Sequence, residues 1–114
     1  MTESRIQGEL FQWHWNTYPN ERGRFFLIHN NPKNAIDGNR LKAIGMVAGV
    51  ADMCFLGSNG NVAFLELKTD KGVQSDVQKR FESQCNNCAI GYYIVRSVEE
   101  GKRIIEKYRI STCN

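Results

Sequence analysis

The 114-residue chain lacks most of the features that would give it away at a glance. No apolar run approaches the ~18 residues of a membrane span. The opening Met1-Thr2-Glu3-Ser4-Arg5 has neither the basic start nor the apolar stretch of a secretory signal. Only two prolines occur, and there is no repeat, low-complexity tract or linker, so residues 1–114 read as one domain. Charge of one sign is scarce. Fifteen Lys and Arg against twelve Asp and Glu leave +3, compatible with a nucleic-acid partner but too slight to argue for one unaided. No helix-turn-helix, zinc finger or other base-reading module is present, which speaks against sequence-specific readout. Cys85-Asn86-Asn87-Cys88 has metal-ligand spacing, yet Cys54, Cys113, His14 and His29 supply no second pair, so free thiols are expected. A soluble, cytoplasmic protein with no membrane partner and no small-molecule cofactor is the expectation.

What is there is an ordinary globular composition, 41% hydrophobic and 24% charged. Residues 3 to 18 read as a helix with Ile6, Leu10 and Trp13 at helical spacing. Residues 24 to 29 read as a strand, 30 to 39 as a polar loop, and Arg40-Leu41-Lys42 as a short basic segment. Val50–Leu56 and Val62–Lys68 are β-rich and apolar on both faces around Gly57-Ser58-Asn59-Gly60, which predicts two central strands joined as a hairpin. Ser75 caps a helix to about Cys85, Tyr92–Val95 is a fourth strand, and Ser97 with Glu100 forms a capping box opening a helix to about Arg109. The order αβββαβα predicts an α/β fold with a mixed sheet flanked by helices.

The anomaly is where charge sits in the two central strands. Asp52 interrupts one apolar run, and Glu66 with Lys68 interrupts the other. Strand alternation puts Glu66 and Lys68 on one face. Asp52 joins them if it pairs opposite Glu66, which needs a loop with an odd number of residues. Ser58-Asn59-Gly60, with glycine in the left-handed third place, would supply it, and a bulge would also serve. Two carboxylates in a half-buried place repel and lose hydration, and a hard divalent cation, Mg²⁺ with Mn²⁺ able to substitute, would offset that. Lys68 beside them could orient or deprotonate a water and balance charge on a phosphate. Together these are the parts for hydrolysing a phosphodiester. The plainer alternative is that both acids sit at strand ends or pair with Lys68 and Lys42.

Gly49-Val50-Ala51-Asp52, Phe64-Leu65-Glu66-Leu67-Lys68-Thr69, Gly72 to Gln78, and Gly91 to Glu100, in that order, resemble the virus-type replication-repair nuclease (VRR-NUC) domain, a branch of the PD-(D/E)XK nucleases. Glu3-Ser4-Arg5-Ile6-Gln7 is similar to that family's opening helix. The resemblance implies a restriction-endonuclease-like αβββαβ core with an extra C-terminal helix and a Mg²⁺-dependent cut of DNA. Asp52 and Glu66 would hold the metal, Lys68 would serve the attacking water, Glu3 would complete the acidic cluster, and Gln78 would face the site. Ala51 stands where the superfamily name has proline, a position of backbone shape and not of metal chemistry. Stand-alone members resemble small phage enzymes acting as homodimers on four-way junctions. The resemblance therefore implies a phage or prophage Holliday-junction resolvase in a bacterial host.

Each residue has a plainer reading. Gln78 completes a capping box with Ser75, and one side chain could do both jobs. Glu3 could simply favour its helix N-terminus, and Glu9 on the same helix is a rival for the cluster. Gln7, Lys33, Arg40, Lys42 and Lys79 are candidate DNA contacts, with Arg80 extending the basic rim, or else ordinary solvated groups. Trp13 and Trp15 read as core or interface, and the aromatic-rich first helix offers surface for a dimer. The functional alternatives are a monomeric flap or splayed-arm nuclease, a non-catalytic DNA-binding module of the same fold, and a small zinc-binding domain on Cys85 and Cys88.

Overall fold

A computed structural model describes residues 1–29 and 31–110. Eight regular elements follow along the chain: α1 (Glu3–Thr17), β1 (Phe25–Leu27), α2 (Ala35–Ala43), β2 (Met53–Leu56), β3 (Val62–Leu67), α3 (Asp76–Asn87), β4 (Gly91–Val95) and α4 (Val98–Arg109), with single 3-10 turns at Pro19–Glu21 and Ser58–Gly60. The strands form one sheet in the order β1-β2-β3-β4. β1–β2 and β2–β3 pair antiparallel, and β3–β4 pair parallel across the α3 crossover. The expected mixed α/β sheet flanked by helices is what the chain forms.

The core follows from strand alternation. Ala63, Leu65 and Leu67 of β3 point to one face, with Phe25, Met53, Phe55 and Val95 from the neighbouring strands. Ile6 and Leu10 of α1 and Ile105 of α4 close over them. Side chains of this size each contribute roughly 1.5–3 kcal/mol on full burial. Gly101 lets the two helices meet, because a Cβ there would fall 2.5 Å from Leu10 Cδ2. On the opposite face Phe64 meets Phe81 of α3 edge-on, and Phe81 meets Tyr92. His14 is buried within the aromatic end of the core and bonds Glu21 Oε1 at 3.1 Å, and Glu21 also accepts from Arg109 at 2.8 Å.

Some expectations need correction. Residues 35–43, expected as loop and basic segment, are helix α2. The Asn34 side chain accepts from Asp37 N, Asp37 Oδ2 accepts from Lys33 N, and Gly38 tucks against Pro32. The hairpin ladder ends at Leu56↔Val62, and Gly57 N donates to Asn61 O at 2.7 Å. That leaves Ser58-Asn59-Gly60 as the odd loop, with Asn59 as well as Gly60 left-handed (φ 56 and 77). Glu100 is only half a capping box: Ser97 Oγ accepts from Glu100 N, but the Glu100 carboxylate accepts from Arg96 N instead of the cap residue. Cys54 and Cys85 are buried free thiols and Cys88 is an exposed one. Burial pushes the Cys54 and Cys85 thiols up. Cys113 lies outside the described residues.

Candidate active site

The hairpin register brings the two acids together. Met53 pairs with Leu65, and one step further along the same register Asp52 stands opposite Glu66. Both side chains leave the sheet on the face that carries Phe64 and α3, away from the α1 core. Asp52 Oδ2 accepts the backbone N–H of Leu67 at 2.8 Å, so the acid also ties the end of β2 to β3. β2 itself begins only at Met53, because the chain reaches Asp52 from a sharp turn. Gly49 has φ +88, and a Cβ there would lie 2.3 Å from Val77 O. The glycine therefore seats the segment against the first turn of α3, three residues before Asp52. The sequence motif contained Gly49, but nothing in its composition announced the contact.

Glu66 is 2% exposed. Its Oε2 accepts from Gln78 Nε2 at 2.9 Å and lies 3.9 Å from Lys68 Nζ. Its Oε1 is buried with no hydrogen-bond partner among the described residues. Burial first, then the Asp52 carboxylate, push the Glu66 carboxyl from an ordinary 4.5 up to about 8, with Lys68 pulling the other way. Gln78 does both jobs considered for it: its Oε1 accepts from Ser75 N at 2.9 Å, closing the capping box, while its amide nitrogen reaches Glu66. On the same face Gln74 Nε2 donates to Glu82 and to the Tyr92 hydroxyl, and burial raises the Tyr92 phenol to about 12.

The loop between β3 and α3 is held from β4. Arg96, the residue after that strand, points one guanidinium nitrogen at three carbonyls: Thr69 O at 2.6 Å, Gly72 O at 2.8 Å and Asp70 O at 3.4 Å. Lys68 N donates to Val95 O at 3.0 Å. Lys68 is thus fixed on both sides. Sequence reasoning missed Arg96, since an arginine ahead of a capping serine carries no distinguishing signal.

Other candidates fall outside this group. Glu3 starts α1 on the opposite face of the sheet and is exposed; its charge adds to the rise at Glu66 without joining the pair. Among the described residues no three His, Cys, Asp or Glu come together as a metal-holding group. Glu9 sits near Arg5, at 3.9 Å. Arg40 is paired with Asp37 at 2.8 Å, while Lys33, Lys42 and Lys79 are exposed away from any partner the site supplies. Gln7 is half-buried beside β1. Trp13 stacks edge-on against Tyr18 under Lys102, a packing role, whereas Trp15 stays 40% exposed.

The residues fit a divalent cation. A buried carboxylate oxygen without a donor, beside a second carboxylate, is the arrangement a hard cation would stabilise. With two protein carboxylates, the remaining coordination positions would go to water and phosphate oxygens, as Mg²⁺ prefers.

No protein-family model matches the sequence, and neither does any curated protein. Among solved structures, a VRR_NUC domain protein superposes with TM-score 0.69 at 16% identity, covering 95% of this chain and 88% of the other. A VRR_NUC domain superposes with TM-score 0.56 at 14% identity, covering 95% and 99%. Agreement over nearly the whole of both chains, at identities this low, is agreement of architecture: the chain has the VRR-NUC domain fold.

Proposed function

We propose that the chain is a Mg²⁺-dependent, structure-specific DNA endonuclease, acting as a homodimer that resolves four-way junctions in the cytoplasm. The carrying observation is the buried Asp52–Glu66 pair with an unpartnered Glu66 oxygen, Lys68 alongside and Gln78 holding the other oxygen. Asp52 and Glu66 would hold the ion, which supplies Lewis acidity and a more acidic bound water. Lys68 Nζ orients the attacking water and balances the charge that builds on the phosphate oxygens. Gln78 fixes the Glu66 carboxylate so that its other oxygen keeps its direction. The water oxygen bonds to phosphorus as the bond to the leaving oxygen breaks, and the water proton passes to solvent. The likeness to VRR_NUC domains supports the nuclease reading. A two-fold dimer would present two such sites to two strands of a symmetric branch point.

The test is cleavage of a labelled immobile four-way junction in Mg²⁺, Mn²⁺ or EDTA, with linear duplex, flap and splayed-arm controls. Paired symmetric nicks that vanish in EDTA are expected. Cutting confined to flaps or splayed arms would replace the resolvase by a monomeric nuclease. Junction binding with no cutting in any metal would leave a DNA-binding module.

A further inference from the structure

An open groove of about 550 Å³ runs between α1 and the edge strand β1. Phe11 and Trp15 line its helix side, Leu27 and Met53 its sheet side, and Gln7 its near end. Met53 directly follows Asp52, and Gln7 lies one helical turn beyond Glu3, so the groove opens beside the acid pair. From there it follows α1 toward Gly23.

Two features of the groove have no explanation in the fold. Leu27 is 60% exposed and Trp15 40% exposed along it. Gly8 sits in the middle of α1 on the groove floor, although a Cβ there would meet nothing within 4 Å. Glycine disfavours a helix interior, and neither packing nor backbone conformation demands it at this position. Its absent side chain keeps the floor open.

The surroundings select the occupant. No carboxylate lines the groove. Arg5 on α1 and Arg24 at the start of β1 flank it, side chains 71% and 51% exposed, each held only at 3.9 Å by Glu9 and Glu21. Arg22 lies 4.7 Å over the Trp15 ring at the far end. An apolar, aromatic slot with mobile cations on its rims suits a polyanion that carries flat apolar groups. The volume falls within the range that encloses small organic ligands.

We propose that this groove receives nucleobases released from pairing at the branch point, with their phosphates on Arg5 and Arg24, and so chooses which strand enters the acid pair. The proposal rests on DNA being the substrate, and binding without cleavage tests it. Labelled blunt duplex and the same duplex with a single-stranded tail are titrated with the full chain in EDTA, where no strand is cut. The tailed DNA should bind at least about tenfold more tightly. Gly8→Met, which fills the groove, should abolish that preference while keeping the circular-dichroism spectrum, and Gly8→Ala should largely retain it. Equal binding of both DNAs by the wild type, or an unchanged preference in Gly8→Met, overturns the proposal while junction cleavage would still uphold the nuclease. A tail preference lost in Gly8→Met, with no cutting in any metal, would keep the groove and remove the nuclease. Light scattering that shows Gly8→Met splitting a dimer, with tail preference intact, would make the groove a contact between copies and also overturn the proposal.

Discussion

Gln78 holds Glu66 with one end of its side-chain amide while the other end caps the helix that carries it. One side chain therefore serves both fold and site, and the two can be separated. Gln78→Ala removes the reciprocal cap bond and the Glu66 donor, so unfolding in urea should show a loss of about 1 kcal/mol. Gln78→Glu keeps an acceptor for Ser75 N but sets a second negative charge against Glu66. Its metal-free melting temperature should fall further at about pH 9 than at about pH 5.

The raised Glu66 carboxyl makes metal-free stability depend on pH. Between 4.5 and about 8 the folded chain holds a proton that the unfolded chain releases. Glu66 stabilisation is therefore complete below the unfolded value and is lost as pH rises through about 8. In EDTA the melting temperature should drop across that window, and Glu66→Gln should flatten the drop. Mg²⁺ favours the ionised pair, so its stabilising effect should grow with pH. A melting temperature that rises across the window in EDTA would contradict the environment described for Glu66.

Asp52 joins a structural role to a chemical one. Asp52→Asn retains an acceptor for the Leu67 N–H, so it should melt within a few degrees of wild type yet fail to cut DNA. Asp52→Ala strands that N–H and should lose a further ~1–3 kcal/mol. Equal stability of the two variants would show that the bond to Leu67 contributes nothing.

Lys68→Ala should reduce cleavage by at least about a hundredfold and leave junction affinity within a few-fold of wild type. Single-turnover cleavage and gel-shift binding on the same junction separate the two effects. Wild-type turnover by Lys68→Ala would remove its role in orienting water.

Three glycines should respond in opposite directions to a methyl group. Gly8→Ala should stabilise by about 0.5–1 kcal/mol, because space is open and the helix favours alanine. Gly101→Ala drives a Cβ into Leu10, and Gly49→Ala drives one into the Val77 carbonyl at a positive φ. Each should lose about 2 kcal/mol or more. Gly49→Ala should also impair cleavage beyond its stability loss, since it separates the Asp52 segment from α3.

The hairpin, the acid register and the capping glutamine were legible in the sequence because each depends on residues close together along the chain. Gly60 in the left-handed place made the loop odd, and that alone set Asp52 opposite Glu66. Helix α2 was not legible: Gly38 and Asn39 interrupt it, Pro32 precedes it, and its cap is Asn34 with Asp37 in place of the more familiar Ser with Glu. The pinning of Gly49 by Val77 and the grip of Arg96 on residues 69–72 join segments distant in sequence, and neither leaves a local pattern. The face of the sheet on which α1 lies, which keeps Glu3 from the acid pair, is likewise decided by packing.

The Arg96 grip also bears on the order in which the chain acquires its chemistry. The two acids belong to a local hairpin and can meet early, since the loop that closes it is short. Lys68 and Gln78 are fixed only once β4 has crossed over to pair in parallel with β3 and Arg96 has gathered the intervening carbonyls. A nascent or partly unfolded chain would therefore expose carboxylates without the groups that make them productive. A cell that carries this protein is shielded from indiscriminate cutting by the slowest pairing in the sheet.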